Sequence, residues 1–262
     1  MPFYNAAPYL AEAIRSMLDQ TFTDFEFILI NDGSTDESES VVKSFNDSRI
    51  NYFSNEENKG LVYSLNKGLS AAQGAFIARM DGDDISLPDR LEKQFNYLKM
   101  HPEADLIATK VQLINEKGQH TGFWKEDREN TSEDQIKEFL PVNNCIAHPS
   151  ILARAEIIRT LKYRETQGEA EDYDLWLRWL AAGKTIHKLN EVLVNHRILP
   201  HSFTRQRQKN VFYKLARTKF RFASHEISQG NFNLFVVRAI IFACTDLMKG
   251  TGKYIKKNLL KK

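Results

Sequence analysis

Apolar and polar positions switch between strand-like and helix-like spacing along the first half of the chain. Phe25 to Ile30 (FEFILI) is a short apolar run ending at Asn-Asp-Gly, which predicts a buried strand entering a loop. Asn51 to Phe53 and Ala75 to Met80 predict two more strands. Helical spacing fills the intervals: Pro8 to Leu18 with Pro8 in the first turn, Asp36 to Phe45 behind Ser34 and Thr35 as caps, and Leu61 to Ala72. Pro88 to Met100 predicts a helix and Asp105 to Ile114 a strand. After about residue 140 the pattern is mixed. There Pro149 to Ala153 predicts a strand, Asp172 to Leu180 a helix stopped by Gly183, and Thr185 to Arg197 one or two strands.

Strands alternating with helices predict an α/β fold with a mainly parallel sheet covered on both faces. Ligands of such sheets bind beyond the carboxyl ends of the strands. Both Asp-rich turns, Asn31-Asp32-Gly33-Ser34 and Asp81-Gly82-Asp83-Asp84, directly follow strands, so both are expected at one cleft. Met1 to Asn5 reads as the end of a strand and its turn, and the expectation is that the native chain extends upstream of Met1.

Composition changes this picture little. The 262 residues are 42% hydrophobic and 27% charged, which fits a globular chain without linker or repeat. Charge is more informative. Residues 205–262 hold 14 Lys/Arg and 2 Asp/Glu, whereas the preceding 204 residues hold 22 and 32. A basic tail on an acidic body suggests that the tail meets something anionic. Phe232 to Met248 is apolar but broken by Asn233, Arg238 and Asp246, and lysines follow it. That fits a helix lying on anionic lipid better than one spanning a bilayer; the competing reading is a helix packed on the body with a solvated basic end. No apolar run approaches the roughly 20 residues of a span, and no signal-peptide pattern opens the chain, so a cytoplasmic location is expected. Cys145 and Cys244 match no metal or redox spacing and are read as free thiols. No nucleic-acid-reading motif is present.

Two acidic clusters carry the candidate chemistry. Asp81, Asp83 and Asp84 repel one another unless a cation or water screens them, and hard oxygen ligands suit Mg²⁺ or Mn²⁺. The competing reading is a solvated turn capping the next helix. Arg79, inside the apolar run AFIARM, is costly to bury unless paired with a phosphate or with Asp32 or Asp81. Asp32 could accept hydrogen bonds from a base or ribose, or serve only as turn and cap. Glu169, Glu171, Asp172 and Asp174 precede a helical face of Leu175, Trp176, Trp179 and Leu180. The helix dipole explains some of these acids, but four exceed what capping needs. One could act as a general base across the cleft.

Six motifs in order resemble family 2 inverting glycosyltransferases of the GT-A fold: Met-Pro-Phe-Tyr-Asn at 1–5, Asn-Asp-Gly-Ser-Thr-Asp at 31–36, Asn58-Lys59-Gly60, Arg79 to Asp84, His148-Pro149-Ser150, and Glu171 to Arg178. The resemblance covers about residues 1–204, taken as the catalytic domain, with 205–262 as a basic helical extension. It implies that Pro2, Tyr4 and Asp32 meet the nucleotide base, that Arg79 lies by the nucleotide, and that Asp81 approaches the ribose. It further implies that Asp83, with Asp81, ligates the divalent metal, Mn²⁺ or Mg²⁺. Asp172 would be the catalytic base supported by Glu171, with His148 and Trp176 on the acceptor side; for His148 a packed histidine is the alternative. The implied partners are a nucleotide-sugar donor, a glycan or lipid-linked acceptor, and an anionic membrane at the inner face of the plasma membrane, without nucleic acid. Members often carry a histidine where Leu199 stands; His201 could replace it by a loop shift. The chain lacks the Gln-x-x-Arg-Trp of processive synthases, so a single-addition enzyme of surface-glycan synthesis is expected. A nucleotidyltransferase, or an inactive relative that only binds, are the alternatives.

Overall fold

The computed structural model describes residues 1–199 and 211–259. His201 therefore lies outside the described residues, as does the boundary at 204. The N-terminal half is built from β1 (Pro2–Phe3), α1 (Ala7–Leu18), β2 (Phe27–Asn31), α2 (Ser38–Lys43), β3 (Ile50–Ser54), α3 (Leu61–Ala71) and β4 (Phe76–Ala78). Strands β1, β2 and β3 form a parallel three-stranded sheet in that order. Their carboxyl ends point towards the same side, which places the turns at residues 4 and 32 side by side.

Of the caps expected for α2, Ser34 is turned to the segment before α1: its Oγ accepts the Asn5 N–H, and Asn5 Oδ1 accepts the Thr35 N–H. Asp36 Oδ2 accepts the Ala7 N–H at 3.1 Å, and Ser38 Oγ accepts the Ala6 N–H at 2.9 Å. Helix α2 begins at Ser38, whose N–H is accepted by Asp36 Oδ1 at 3.0 Å, so Asp36 serves the starts of both helices.

The second half adds β5 (Ile85–Ser86), α4 (Arg90–Met100), β6 (Leu106–Ile114), β7 (His120–Phe123), α5 (Lys125–Glu129), α6 (Glu133–Phe139), a 3₁₀ turn (His148–Ser150), β8 (Leu152–Arg154), α7 (Ala155–Leu161), α8 (Glu171–Ala181), β9 (Ile186–Arg197), α9 (Val211–Ser228) and α10 (Leu234–Leu259). Its sheet runs β4-β8-β6-β9-β5, with β7 paired to β6. Only β6 and β9 are parallel; the other pairs are antiparallel. The sheet is thus mixed, with parallel pairing concentrated in the first half. The strand expected at 149–153 is split, because Pro149 starts a 3₁₀ turn before β8 can pair.

Strands β1 and β4 end their respective sheets. Between them lies a cavity of about 810 Å³ lined by residues including Met1, Ile28, Ile30, Ile77 and Arg79. The Met1 amine donates to the Ile28 carbonyl at 2.8 Å on its rim.

The main core joins both ends of the chain. Trp176, Trp179, Leu175 and Tyr173 of α8 pack with Leu106, Ile151, Ile158 and Ile186, and with Phe222, Ala223, Val236 and Ala239 of the C-terminal helices. Helices α9 and α10 therefore cover the α8 face that the sequence marks as apolar. Cys145 is buried, Cys244 is exposed, and both are free.

Candidate active site

The turn after β4 is held by what lies above and below it. Gly82 does not adopt a positive φ; it is small because a Cβ there would meet Phe3 Cβ at 3.0 Å and Leu10 Cδ1 at 3.5 Å. Asp84 is fully buried and accepts from His196 Nδ1 at 3.0 Å and from the Arg197 N–H at 2.7 Å. The antiparallel pairing of Ile85 with Asn195 and Ser86 with Val194 brings His196 to this point. Arg197 then fastens the turn: Nε donates to Asp83 O, Nη1 to Asn115 O and Glu116 O, and Nη2 to Glu12 Oε2.

Ligand atoms of Asp81, Asp84 and His196 all lie within 4.8 Å of one another. His196 resists charging through burial, but attraction to Asp84, Asp81 and Asp83 overcomes this and raises it to about 9. Asp83 is raised as well: burial, then repulsion from Asp84 and Asp81, lifts its carboxyl to about 7. Crowded, desolvated carboxylates with an imidazole are a donor set that fits Mg²⁺ or Mn²⁺. His196 escaped the sequence reading because nothing local marks it; only the register of β9 does.

Arg79 is buried, and its Nη1 pairs with Asp81 Oδ2, while its Nε has no partner among the described residues. Of the two carboxylates expected for Arg79, Asp81 is the one it pairs with. Its backbone carbonyl accepts from Arg90 Nη2 at 2.8 Å, and the wholly buried Arg90 is lowered to about 9 by desolvation. Arg79 also favours the charged forms of both Glu171 and Asp172, whose dominant influence is burial.

Asp172 and Glu171 open α8 behind Ala170, which takes the left-handed conformation at φ 53°. Burial, then repulsion from Asp172, raises Glu171 to about 7; burial also raises Asp172. Asn144 Nδ2 donates to Asp172 Oδ2 at 2.9 Å, and Lys214 of α9 faces both carboxylates. Asp174 is different. It is fully buried between Arg178 Nε at 2.8 Å and Arg164 Nη1 at 3.1 Å, a structural ion pair.

His148 is buried, its Nε2 2.7 Å from Tyr163 Oη and its ring edge-on to Trp176. Burial, then Arg79, lowers its pKa well below that of a free histidine. Trp176 is fully buried in the core behind it, so it supports His148 and has no face towards solvent. Tyr163, unmarked in the sequence, feels Arg79, Glu171, Asp172 and Asp81 alike.

The base-side residues gather around Asp32. Its Oδ1 accepts from Asn55 Nδ2 at 2.8 Å, Ser64 Oγ at 2.9 Å and Lys59 N at 3.1 Å, and its Oδ2 accepts from Gly60 N at 2.9 Å. Asp32 thus orders the 58–60 loop ahead of α3 and keeps acceptor capacity mainly on Oδ2. Pro2 is buried in β1, whereas Tyr4 in the following turn is 47% exposed.

The match to known proteins agrees with this arrangement. Residues 1–160 match the model of glycosyl transferase family 2. The O-antigen biosynthesis glycosyltransferase WbnJ of Escherichia coli is 36% identical over 228 residues, 84% of this chain and 86% of that protein. The chain belongs to glycosyl transferase family 2. A further member, the putative glycosyltransferase EpsE of Bacillus subtilis, is 35% identical over 218 residues, 79% of this chain and 74% of its own. Among solved structures, S. aureus TarS 1-349 in complex with UDP superposes with a TM-score of 0.70 at 19% identity, covering 94% of this chain and 69% of that 1-349 chain. The mannosyltransferase PcManGT of Pyrobaculum calidifontis, in complex with GDP-Man and Mn²⁺, gives a TM-score of 0.61 at 15% identity, covering 96% and 73%. These likenesses fix the GT-A-like fold. The protein is a glycosyltransferase, which overturns the nucleotidyltransferase alternative.

Proposed function

We propose that this chain moves a sugar from a nucleoside-diphosphate sugar, a UDP-sugar, to a hydroxyl of a glycan or lipid-linked acceptor, with inversion, adding one residue per encounter during surface-glycan synthesis. The observation that carries this reading is Arg79, a buried guanidinium paired with Asp81 of an acidic cluster suited to a cation and favouring the charged form of Asp172 in a second cluster suited to a base. Asp172 takes the proton of the acceptor hydroxyl as its oxygen bonds the anomeric carbon. The bond from that carbon to the diphosphate breaks on the opposite face, and the nucleoside diphosphate leaves with the electron pair. Arg79 faces the charge that develops on the leaving group, in a site with little competing water. Glu171 keeps Asp172 company as a carboxyl raised to about 7 by burial and by Asp172. Asp81, Asp84 and His196 would hold Mg²⁺ or Mn²⁺, with Asp83 beside them, and the ion would neutralise charge on the departing diphosphate. Pro2, Tyr4 and Asp32 shape the nucleotide-base side.

Calorimetric titration of UDP, with and without Mn²⁺, tests the donor cleft. Binding that tightens with Mn²⁺ and is lost in Asp81→Ala and in Asp83→Ala supports it; indifference to Mn²⁺ and to both substitutions contradicts the metal assignment.

The same reading places the C-terminal helices on an anionic membrane. Leu234, Ile241 and Met248 recur every seven residues along α10 at 74%, 55% and 68% exposure, with Lys249 and Lys253 exposed nearby. Among the described residues no helix is long and apolar enough to cross a membrane. An exposed apolar stripe bordered by lysines fits an interfacial helix.

A further inference from the structure

The base Asp172 is steadied by a loop far from it in sequence. Residues 140–146 run between α6 and the 3₁₀ turn with little regular structure of their own. Three donors from elsewhere hold their carbonyls. Tyr173 Oη donates to Leu140 O at 2.6 Å, Lys219 Nζ to Val142 O at 2.5 Å, and Lys188 Nζ to Cys145 O at 2.7 Å. Both lysines are fully shielded at their side chains and paired, Lys219 with Asp246 of α10 at 2.6 Å and Lys188 with Asp127 at 2.9 Å. Buried lysines are costly, so spending two of them on loop carbonyls marks a segment whose position matters.

Within this clamped loop stands Asn144. Its Oδ1 accepts the Ile146 N–H at 3.0 Å, which turns the amide nitrogen outward, and Nδ2 donates to Asp172 Oδ2 at 2.9 Å. The orientation follows from the network, since a carboxylate cannot be faced by the amide oxygen. We propose that Asn144 is a positioning residue for Asp172, holding its carboxylate in the rotamer that leaves Oδ1 for the acceptor proton, and that the α9–α10 hairpin keeps Asn144 in place through Lys219. This rests on Asp172 being the base.

The groups facing the Asp172 carboxylate are Glu171 on its own helix, Arg79 at the end of β4, Tyr163, Lys214 on α9 and the Asn144 amide. Among the described residues, Asn144 donates a side-chain hydrogen bond to it, and the Tyr173 N–H also favours its charged form. Removing the amide donor therefore makes Asp172 harder to ionise.

The test uses Asn144→Ala and Asn144→Asp on the full chain, with UDP release measured from UDP-glucose, UDP-galactose and UDP-N-acetylglucosamine. Asn144→Ala removes the donor without adding charge, whereas Asn144→Asp still accepts the Ile146 N–H and preserves the loop but sets a second carboxyl against Asp172, so that repulsion adds to the lost donor. In both variants kcat should fall about 10- to 100-fold, as for a lost hydrogen bond to a charged group, with the donor KM within twofold of the parent. The acidic limb of the pH–rate profile should move to higher pH. A readout independent of turnover is the carboxyl ¹³C titration of Asp172 in Asp-labelled protein, its signal assigned by loss in Asp172→Asn; its midpoint should rise in both variants. A parental midpoint and parental pH limb in Asn144→Ala would overturn the proposal. Asp172→Asn run in parallel separates the readings: if it turns over normally, the base assignment fails; if it is inactive while Asn144→Ala is normal, only the positioning role fails.

Discussion

Gly33 shows how a single position fixes the turn after β2 against the 57–58 backbone. Its φ is +70°, and a Cβ there would meet Glu57 C at 2.4 Å and Asn58 N at 2.6 Å, both backbone atoms that cannot swing aside. Gly33→Ala should therefore cost at least about 2 kcal/mol, above the usual penalty for a positive φ alone; thermal unfolding measures it, and an unchanged Tm would contradict the close approach. The Asp-Gly-Ser string is readable in sequence as a turn. That Asp32 is already engaged by Asn55, Ser64, Lys59 and Gly60 is not, because those donors lie 23 to 32 residues away. His148 makes a second prediction. Its neutral form is the folded one, held by burial, whereas the unfolded chain protonates below about 6.5. The unfolded state then binds more protons, so stability is lost as pH falls below that value. His148→Gln should lose part of this dependence, so the Tm difference between pH 7.5 and 5.5 should shrink relative to the parent; an unchanged difference would assign the dependence to other groups.

Elements decide which charges meet. The pairing of β5 with β9 delivers His196 to Asp84, and Arg197 ties the same strand end to the Asp83 carbonyl, to Glu12 and over the ring of Tyr9 at 4.7 Å. A planar five-donor guanidinium does this and an ammonium does not. Arg197→Lys should lower Tm and weaken Mn²⁺-dependent UDP binding together, as calorimetry on the variant would show; loss of stability with parental binding would mean the turn does not depend on its strand. The Asp81 to Asp84 turn and the Glu171-Asp172 pair are both legible in the chain, since each combines carboxylates at a spacing that local structure alone does not require. Their partners His196, Tyr163 and Asn144 are not legible, because each is a common residue recruited by strand register or loop placement. Short apolar strands and periodic helices were likewise readable, whereas β5 and β7, of two and four residues, carry too few positions to show a period.

At the scale of the molecule, the charge split has a structural counterpart. Helices α9 and α10 bury Phe222, Ala223, Val236 and Ala239 in the main core, yet α10 leaves Leu234, Ile241 and Met248 outward. Both readings of the basic tail made from the sequence thus have a face of α10: one packs, one is open. Vesicle co-sedimentation should show binding to anionic lipid that weakens from low to high salt, and Ile241→Glu with Met248→Glu should abolish it without changing UDP affinity. Equal partition onto neutral vesicles, or none on either, would contradict a membrane face.

One comparison tests most directly the proposed role of Asp172 as base in a metal-assisted sugar transfer. UDP release from UDP-sugars in the presence of Mn²⁺ and acceptor glycan should fall about 10²- to 10⁴-fold in Asp172→Asn, the range lost with a general base, while calorimetry shows UDP still binding with parental affinity. Turnover by Asp172→Asn near the parental rate would contradict the account.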